Sequence, residues 1–345
     1  MAADTRKGRG SAMKAWQVHG AGEPSDVMRM VERPLPDPGP GQVKIEVSAA
    51  GIGLPDVLMC RGTYPLTPAG PFTPGQELAG TVTAIGPDVD IAIGTRVMGV
   101  SDFMNGNGSF AAEALASAAT VLPAPDSMDD IAAAGFWIPN MTAWMGLVDR
   151  GQLWEGERLV VLGAAGGTGI AAVQLGKALG AEVVAVVGDE SRAEFCRGYG
   201  ADHVLVGRDD TVADGRPLAQ ALRELTDWQG VDVVFDPVGG AQGTSAMGAL
   251  ARNGKHLAIG FASGSWPKVD VQMMTLTNTS LVGVLAAGYS QEHVEKILQE
   301  LTTMMANGAL REAAIEIVPF DDVPDALTRI AARKTLGKCV VDVNG

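Results

Sequence analysis

A chain of 345 residues with 46% apolar side chains and 45 glycines is long enough for two domains with separate cores, and its composition excludes a disordered protein. The net charge of −14 argues against nucleic-acid binding through bulk electrostatics. Only three cysteines occur, Cys60, Cys196 and Cys339, none at C-x-x-C spacing, which excludes a disulfide framework and fits a reducing cytoplasm.

Residues 1–12 are polar, carry Arg6, Lys7 and Arg9 and lack an apolar h-region, so they are not a secretory signal and are predicted to be a disordered extension. Short β-type segments follow at 15–18, 43–49 and 79–85, separated by Pro/Gly clusters at 34–41 and 70–75. Val43-Lys-Ile-Glu-Val47 alternates apolar with charged residues, the period of a half-exposed strand, and the first third reads as an antiparallel, barrel-like β domain. Ser127-Met-Asp-Asp130 suggests an N-cap opening a helix through Trp137, which Pro139 is expected to interrupt. The passage into a second domain is placed there.

Residues 158–180 organise the rest. An apolar run at 159–162 meets four glycines and two alanines at 163–169, then apolar residues at helical spacing at 170–179 and a second apolar run at 183–187. This is a βαβ unit. Its glycines let a backbone turn sharply and a pyrophosphate approach, while the open N–H groups and positive end of the new helix attract it. The first position of G-x-G-x-x-G is Ala164, followed by Gly166 and Gly169, so a tight strand-to-helix turn that binds nothing stays open. The uncharged run 159–176 is too rich in glycine for a bilayer helix.

Further strands are predicted at 204–206, 231–235, 255–259 and 281–284, with helices at 191–198 and up to about Asp227, giving a doubly wound parallel sheet. The helix beginning at Ser290 carries Val294, Ile297, Leu298, Leu301, Met304 and Met305 on one face, a packing stripe. Pro324 opens a last helix, and a final strand at 338–343 is expected to return to the first domain. The expected division is 13–139 completed by 288–345, and 140–287. Nucleophile-elbow, H-E-x-x-H and P-loop spacings are absent from the sequence.

Gly62–Pro65, Pro74–Gly86, Gly94–Val97, Ala164–Gly169, Phe235–Gly240, Gly260–Gly264 and Gly337-Lys338, in this order, resemble the medium-chain dehydrogenase/reductase superfamily, and within it the zinc-free quinone oxidoreductase (zeta-crystallin-like) branch. The resemblance covers Met13 to the C-terminus and implies an α/β protein with a GroES-like β-barrel domain and a Rossmann domain, its active site in the cleft between them. The alcohol dehydrogenases of this superfamily hold a catalytic zinc through a Cys and a His-Glu pair; here those Cys and His positions carry Gly53 and Gln76, which offer zinc neither thiolate nor imidazole. No metal is therefore expected.

Without a Lewis acid, suitable substrates carry their own electron sink, as quinones and α,β-unsaturated carbonyls do. The resemblance thus implies metal-free hydride transfer from NADPH, with Tyr64 as hydrogen-bond donor to the developing enolate, or as a residue that only shapes the pocket. Thr142 matches a threonine near the nicotinamide, or caps a helix. Ala165, Gly166, Gly167, Thr168 and Gly169 would hold the pyrophosphate, and Gly260, Phe261 and Ser263 the rest of the cofactor.

The second strand ends Val186-Val187-Gly188 without the acidic residue that takes the NAD ribose about 20 residues past the glycines. Arg192 stands where the family places a cation for the 2′-phosphate, favouring NADPH; alternatively Arg192 is an exposed helix residue and Asp189 rotates in to favour NADH. A tyrosine that relatives use there is Gly207, followed by Arg208. Asp236 is expected to order the cofactor-side loop. Rival readings are a 2-enoyl thioester reductase and a non-catalytic NADPH-binding sensor. The expected partners are a small-molecule substrate and a second or further copies, as homodimer or homotetramer, without nucleic acid or membrane, in the cytoplasm.

Overall fold

The computed structural model describes residues 12–345; the extension predicted at 1–12 lies outside the described residues except for Ala12, which opens the first strand. The chain divides into two compact units, one running to Ile138 and resuming at Ala314–Gly345, the other spanning Pro139–Ala313.

In the first unit β1 (Ala12–Val18) pairs antiparallel with β2 (Met28–Pro34). The long β3 (Gln42–Ile52) is the centre, flanked by β4 (Glu77–Ile85), which continues to β5 (Arg96–Val100) and β7 (Val121–Pro123), while β6 (Glu113–Ser117) branches from β3. Val43, Ile45 and Val47 are buried and Glu46 is exposed, as the alternation predicts. They join Leu78, Val97 and Phe110 in one core.

The second unit carries β8 (Arg158–Leu162), β9 (Glu182–Val187), β10 (His203–Arg208), β11 (Thr211–Val212), β12 (Val231–Asp236), β13 (Leu250–Ala258) and β14 (Ser280–Gly283). The sheet order is β11-β10-β9-β8-β12-β13-β14, parallel throughout except for the short antiparallel β11. Residues 159–176, uncharged in the sequence, are thus a buried strand, a turn and a helix (Gly167–Ala178) of one domain.

Two expectations are corrected. The helix Asp130–Trp144 passes through Pro139 and continues to Arg150 as a wider π-type coil, and its cap is Asp129, whose Oδ1 accepts from Ala132 N at 2.7 Å. Just before the proline, Ile138 N donates to Glu77 Oε1 at 2.8 Å, which ties this part of the helix to β4. This helix is long and apolar enough to cross a membrane, but 72% of its most apolar stretch is buried in protein.

The other correction concerns residues 288–313, which fold with the second unit. The helix Gln291–Ala306 buries Val294, Ile297 and Leu301, His293 Nε2 lies 2.8 Å from Asp149, and Arg311 N donates to Gln174 at 3.1 Å. Residues 314–345 return to the first unit, as β15 (Ile315–Pro319), the helix Val323–Ala331 and β16 (Lys338–Asp342), the last antiparallel to β3.

Candidate functional site

In the second unit the strand order reverses between β8 and β12, which opens a crevice at their carboxyl ends. The predicted glycine turn lies there. A Cβ on Gly169 would stand 2.4 Å from Gly163 O, so only glycine lets the helix Gly167–Ala178 close onto the turn. Gly166 is the N-cap and no side chain bonds the first turn, which leaves the N–H groups of Gly167, Thr168 and Gly169 aimed outward. Ala165 is buried beneath them, while Gly166 is exposed. This is a cradle of backbone donors at the positive end of a 12-residue helix, and it fits a pyrophosphate.

The loops after β12 and β13 adjoin this turn. Val238 Cγ2 lies 2.9 Å from where a Gly163 Cβ would be, and Val238 O accepts from Ser263 N at 2.8 Å. Gly260, Phe261 and Ser263 are thereby brought to the same edge, with Phe261 tilted against Trp266 at 4.9 Å between ring centroids. Asp236 orders these loops: its Oδ1 accepts from Val238 N and Gly239 N at 2.8 and 2.7 Å. Sequence reasoning missed that His256 holds the other oxygen at 2.9 Å, with both side chains fully buried. A histidine directly before the apolar run 257–259 of a predicted strand was the available signal.

At the end of β9, Gly188 and Asp189 lead into the helix Glu190–Gly198. Asp189 is its N-cap, accepting from Arg192 N at 3.1 Å and Ser191 Oγ at 2.7 Å, and it forms an ion pair with the Arg192 guanidinium. These hydrogen bonds hold the Asp189 carboxyl below its usual range. The guanidinium that lies against Gly188 belongs to Arg208. Thr142 is half-buried in the interior of the helix Asp130–Trp144, so it caps nothing.

In the first unit Tyr64 is half-buried against the core, its N–H donating to Leu58 O at 3.2 Å. Burial pushes its hydroxyl pKa up, opposed by a hydrogen bond to the Gln76 side chain. Below lies a buried polar cluster. Asp56 accepts from Gly53 N at 2.9 Å and Gly75 N at 3.1 Å, and burial raises its pKa to about 6. Glu77 lies 2.7 Å from Lys338 Nζ, and burial raises its pKa despite that ammonium. Glu77 and Lys338 were each visible as a charge at the edge of an apolar strand, a signal of pairing. At the positions where superfamily relatives place a zinc-binding Cys and His, this chain has Gly53 and Gln76, and no group of three metal-ligating side chains occurs among the described residues.

Residues 39–126 match the family model described as an alcohol dehydrogenase GroES-like domain, and residues 167–303 match the one described as a zinc-binding dehydrogenase. A quinone oxidoreductase-like protein 2 homolog of Nematostella vectensis is 30% identical over 88% of this chain and 82% of its own length. The chain belongs to the medium-chain dehydrogenase/reductase superfamily. Within the superfamily it falls in the quinone oxidoreductase-like branch, its first unit GroES-like and its second a Rossmann-type domain. A mycobacterial member solved in complex with NADPH is 30% identical, with a TM-score of 0.87 over 95% of this chain and 99% of that one. A mycocerosic acid synthase-like polyketide synthase of Mycolicibacterium smegmatis is 32% identical over 89% of this chain, which spans 14% of that synthase.

Proposed function

We propose that the protein is an NADPH-dependent, metal-free reductase of quinones or α,β-unsaturated carbonyls. The observation that carries this reading is the uncapped first turn of the helix Gly167–Ala178 at the point where the strand order reverses. NADPH, the ligand of the mycobacterial relative, would supply a hydride when bound there. The N–H groups of Gly167, Thr168 and Gly169 take the pyrophosphate, and the loops anchored on Asp236 place Gly260, Phe261 and Ser263 against the cofactor.

Tyr64 donates its O–H to the oxygen on which charge develops. Its hydrogen bond with Gln76 supports that role by orienting the phenol, and the pKa raised by burial keeps the proton on it at neutral pH. Gly53 and Gln76 leave no thiolate or imidazole for a zinc ion, so hydrogen bonding takes the place of a Lewis acid.

The similarity to a polyketide synthase supports a second reading, an enoyl thioester reductase. We also propose a homodimer. The edge strand β14 exposes Leu281, and the helix Val271–Thr277 buries none of its side chains although Val271 is 70% and Leu276 62% exposed. The three buried thiols and acidic balance are consistent with a cytoplasmic protein that does not bind nucleic acid.

The deciding experiment follows loss of dihydronicotinamide absorbance with chelator-treated protein, using NADPH and NADH against quinone, enone and enoyl-thioester panels. Oxidation of NADPH that survives chelation is expected, and the preferred panel identifies the substrate class. Tight NADPH binding with no turnover would make the protein a sensor. Tyr64→Phe is expected to lower kcat about 100-fold with little change in stability if the phenol donates. A change under about threefold would leave Tyr64 a pocket residue.

A further inference from the structure

The end of β9 presents two arginines, and their surroundings differ. Arg192 is engaged by Asp189, three residues before it. Asp189 stands just after β9, where a Rossmann domain takes an NAD ribose on an acidic residue, and it is already engaged by the Ser191 hydroxyl, the Arg192 N–H and the Arg192 guanidinium. Arg208 is exposed, and among the described residues no carboxylate lies within ion-pair distance of it.

The sheet register delivers Arg208 to this point. In the parallel pair β9 and β10, Val206 lies opposite Val187, so two residues on Arg208 reaches the level of Gly188 and Asp189. Its Nε donates to Gly188 O at 3.4 Å, and a Cβ on residue 188 would lie 3.3 Å from its Nη2. The hairpin behind it is tight. Gly207 pairs with Val212 and Arg208 with Thr211, and a Cβ on residue 207 would meet Thr211 O at 2.4 Å, which leaves no room for a side chain there.

We propose that Arg208 is the specificity residue that binds the 2′-phosphate of NADPH, and that Arg192 acts through Asp189, restraining a carboxylate that would otherwise repel that phosphate and take the ribose hydroxyls of NADH. This rests on the NADPH reading above. An exposed guanidinium with no acidic partner can bind a phosphate bidentately, whereas one already paired to a carboxylate must first give up that pair.

The test is the dissociation constants of NADPH and NADH, measured separately from the cofactors' fluorescence on binding, with circular dichroism confirming that each variant is folded. Arg208→Ala is expected to weaken NADPH about 10- to 100-fold and to leave NADH within about threefold. Arg192→Ala is expected to weaken NADPH and tighten NADH, and Asp189→Ala combined with Arg192→Ala to restore NADPH binding. The proposal is overturned if Arg208→Ala keeps the wild-type ratio of the two constants, or if the double variant stays as weak for NADPH as Arg192→Ala, which would make Arg192 the phosphate ligand. Wild-type protein that binds NADH as tightly as NADPH would instead remove the NADPH reading on which the proposal stands.

Discussion

Each unit contains a lysine paired with a carboxylate, and the two pairs have little in common beyond geometry. Lys338 Nζ lies 2.7 Å from Glu77, with side chains 9% and 1% exposed; Lys177 Nζ lies 2.5 Å from Asp202, with side chains 47% and 30% exposed. The shorter pair contributes less. In water the attraction is screened and two flexible side chains must be ordered to realise it. In the interior each ion has lost its hydration, so either one alone is costly. The first unit therefore uses its charges to hold the chain together. The second carries the Lys177–Asp202 pair at its periphery, and at the site it presents backbone donors above loops ordered by the buried Asp236.

The largest effect should come from breaking the buried pair. Glu77→Ala leaves an unpaired ammonium at Lys338 and strips the acceptor from Ile138 N, which it holds at 2.8 Å. The expected cost is about 3–5 kcal/mol in a urea titration. Replacing both ions at once, with Glu77→Leu and Lys338→Met, should recover most of it. A cost below about 1 kcal/mol for the single change would mean that water reaches the pair, and the contrast between the units would vanish.

What was legible in the sequence follows the same division. The glycine turn, β8, β9 and the packing stripe of the helix Gln291–Ala306 are written in local periodicity, and they stand where the periodicity puts them. Pro139 misled because a proline is a local break signal, whereas the helix through it is packed by partners distant in sequence, such as Glu77, 61 residues away, which accepts from Ile138 N. Arg208 was visible only as a neighbour of Gly207; its approach to Gly188 depends on the register between β9 and β10, which no local pattern encodes. The return point at Ala314 was missed for a similar reason, since contacts such as Arg311 to Gln174 are long-range.

Asp56 gives a smaller effect with a definite sign. Its folded pKa of about 6 stands above the ordinary value of 3.8, so the folded state binds its proton more tightly than the unfolded chain does. Below about pH 4 both states are protonated. Between about pH 4 and 6 the unfolded chain ionises first, and stability falls as pH rises, by up to about 3 kcal/mol for a shift of this size. Asp56→Asn should flatten that fall when denaturation midpoints of the two proteins are compared across the window. Parallel profiles would show that the carboxyl is better solvated than its burial indicates.

The smallest effect sharpens the comparison most. Lys177→Ala should cost about 0.5 kcal/mol or less, and even that should fade as salt rises from about 0.05 to 0.5 M. Asp202→Ala should cost more, about 1 kcal/mol, because Asp202 Oδ2 also accepts from Val183 N at 2.9 Å, a bond the lysine does not share. A double-mutant cycle isolates the ion pair from that backbone bond, and the coupling is expected to be below about 0.5 kcal/mol. Coupling of about 2 kcal/mol, insensitive to salt, would show that a 2.5 Å contact is strong wherever it stands. Exposure would then no longer separate the pair that fastens the first unit from the pair at the edge of the second.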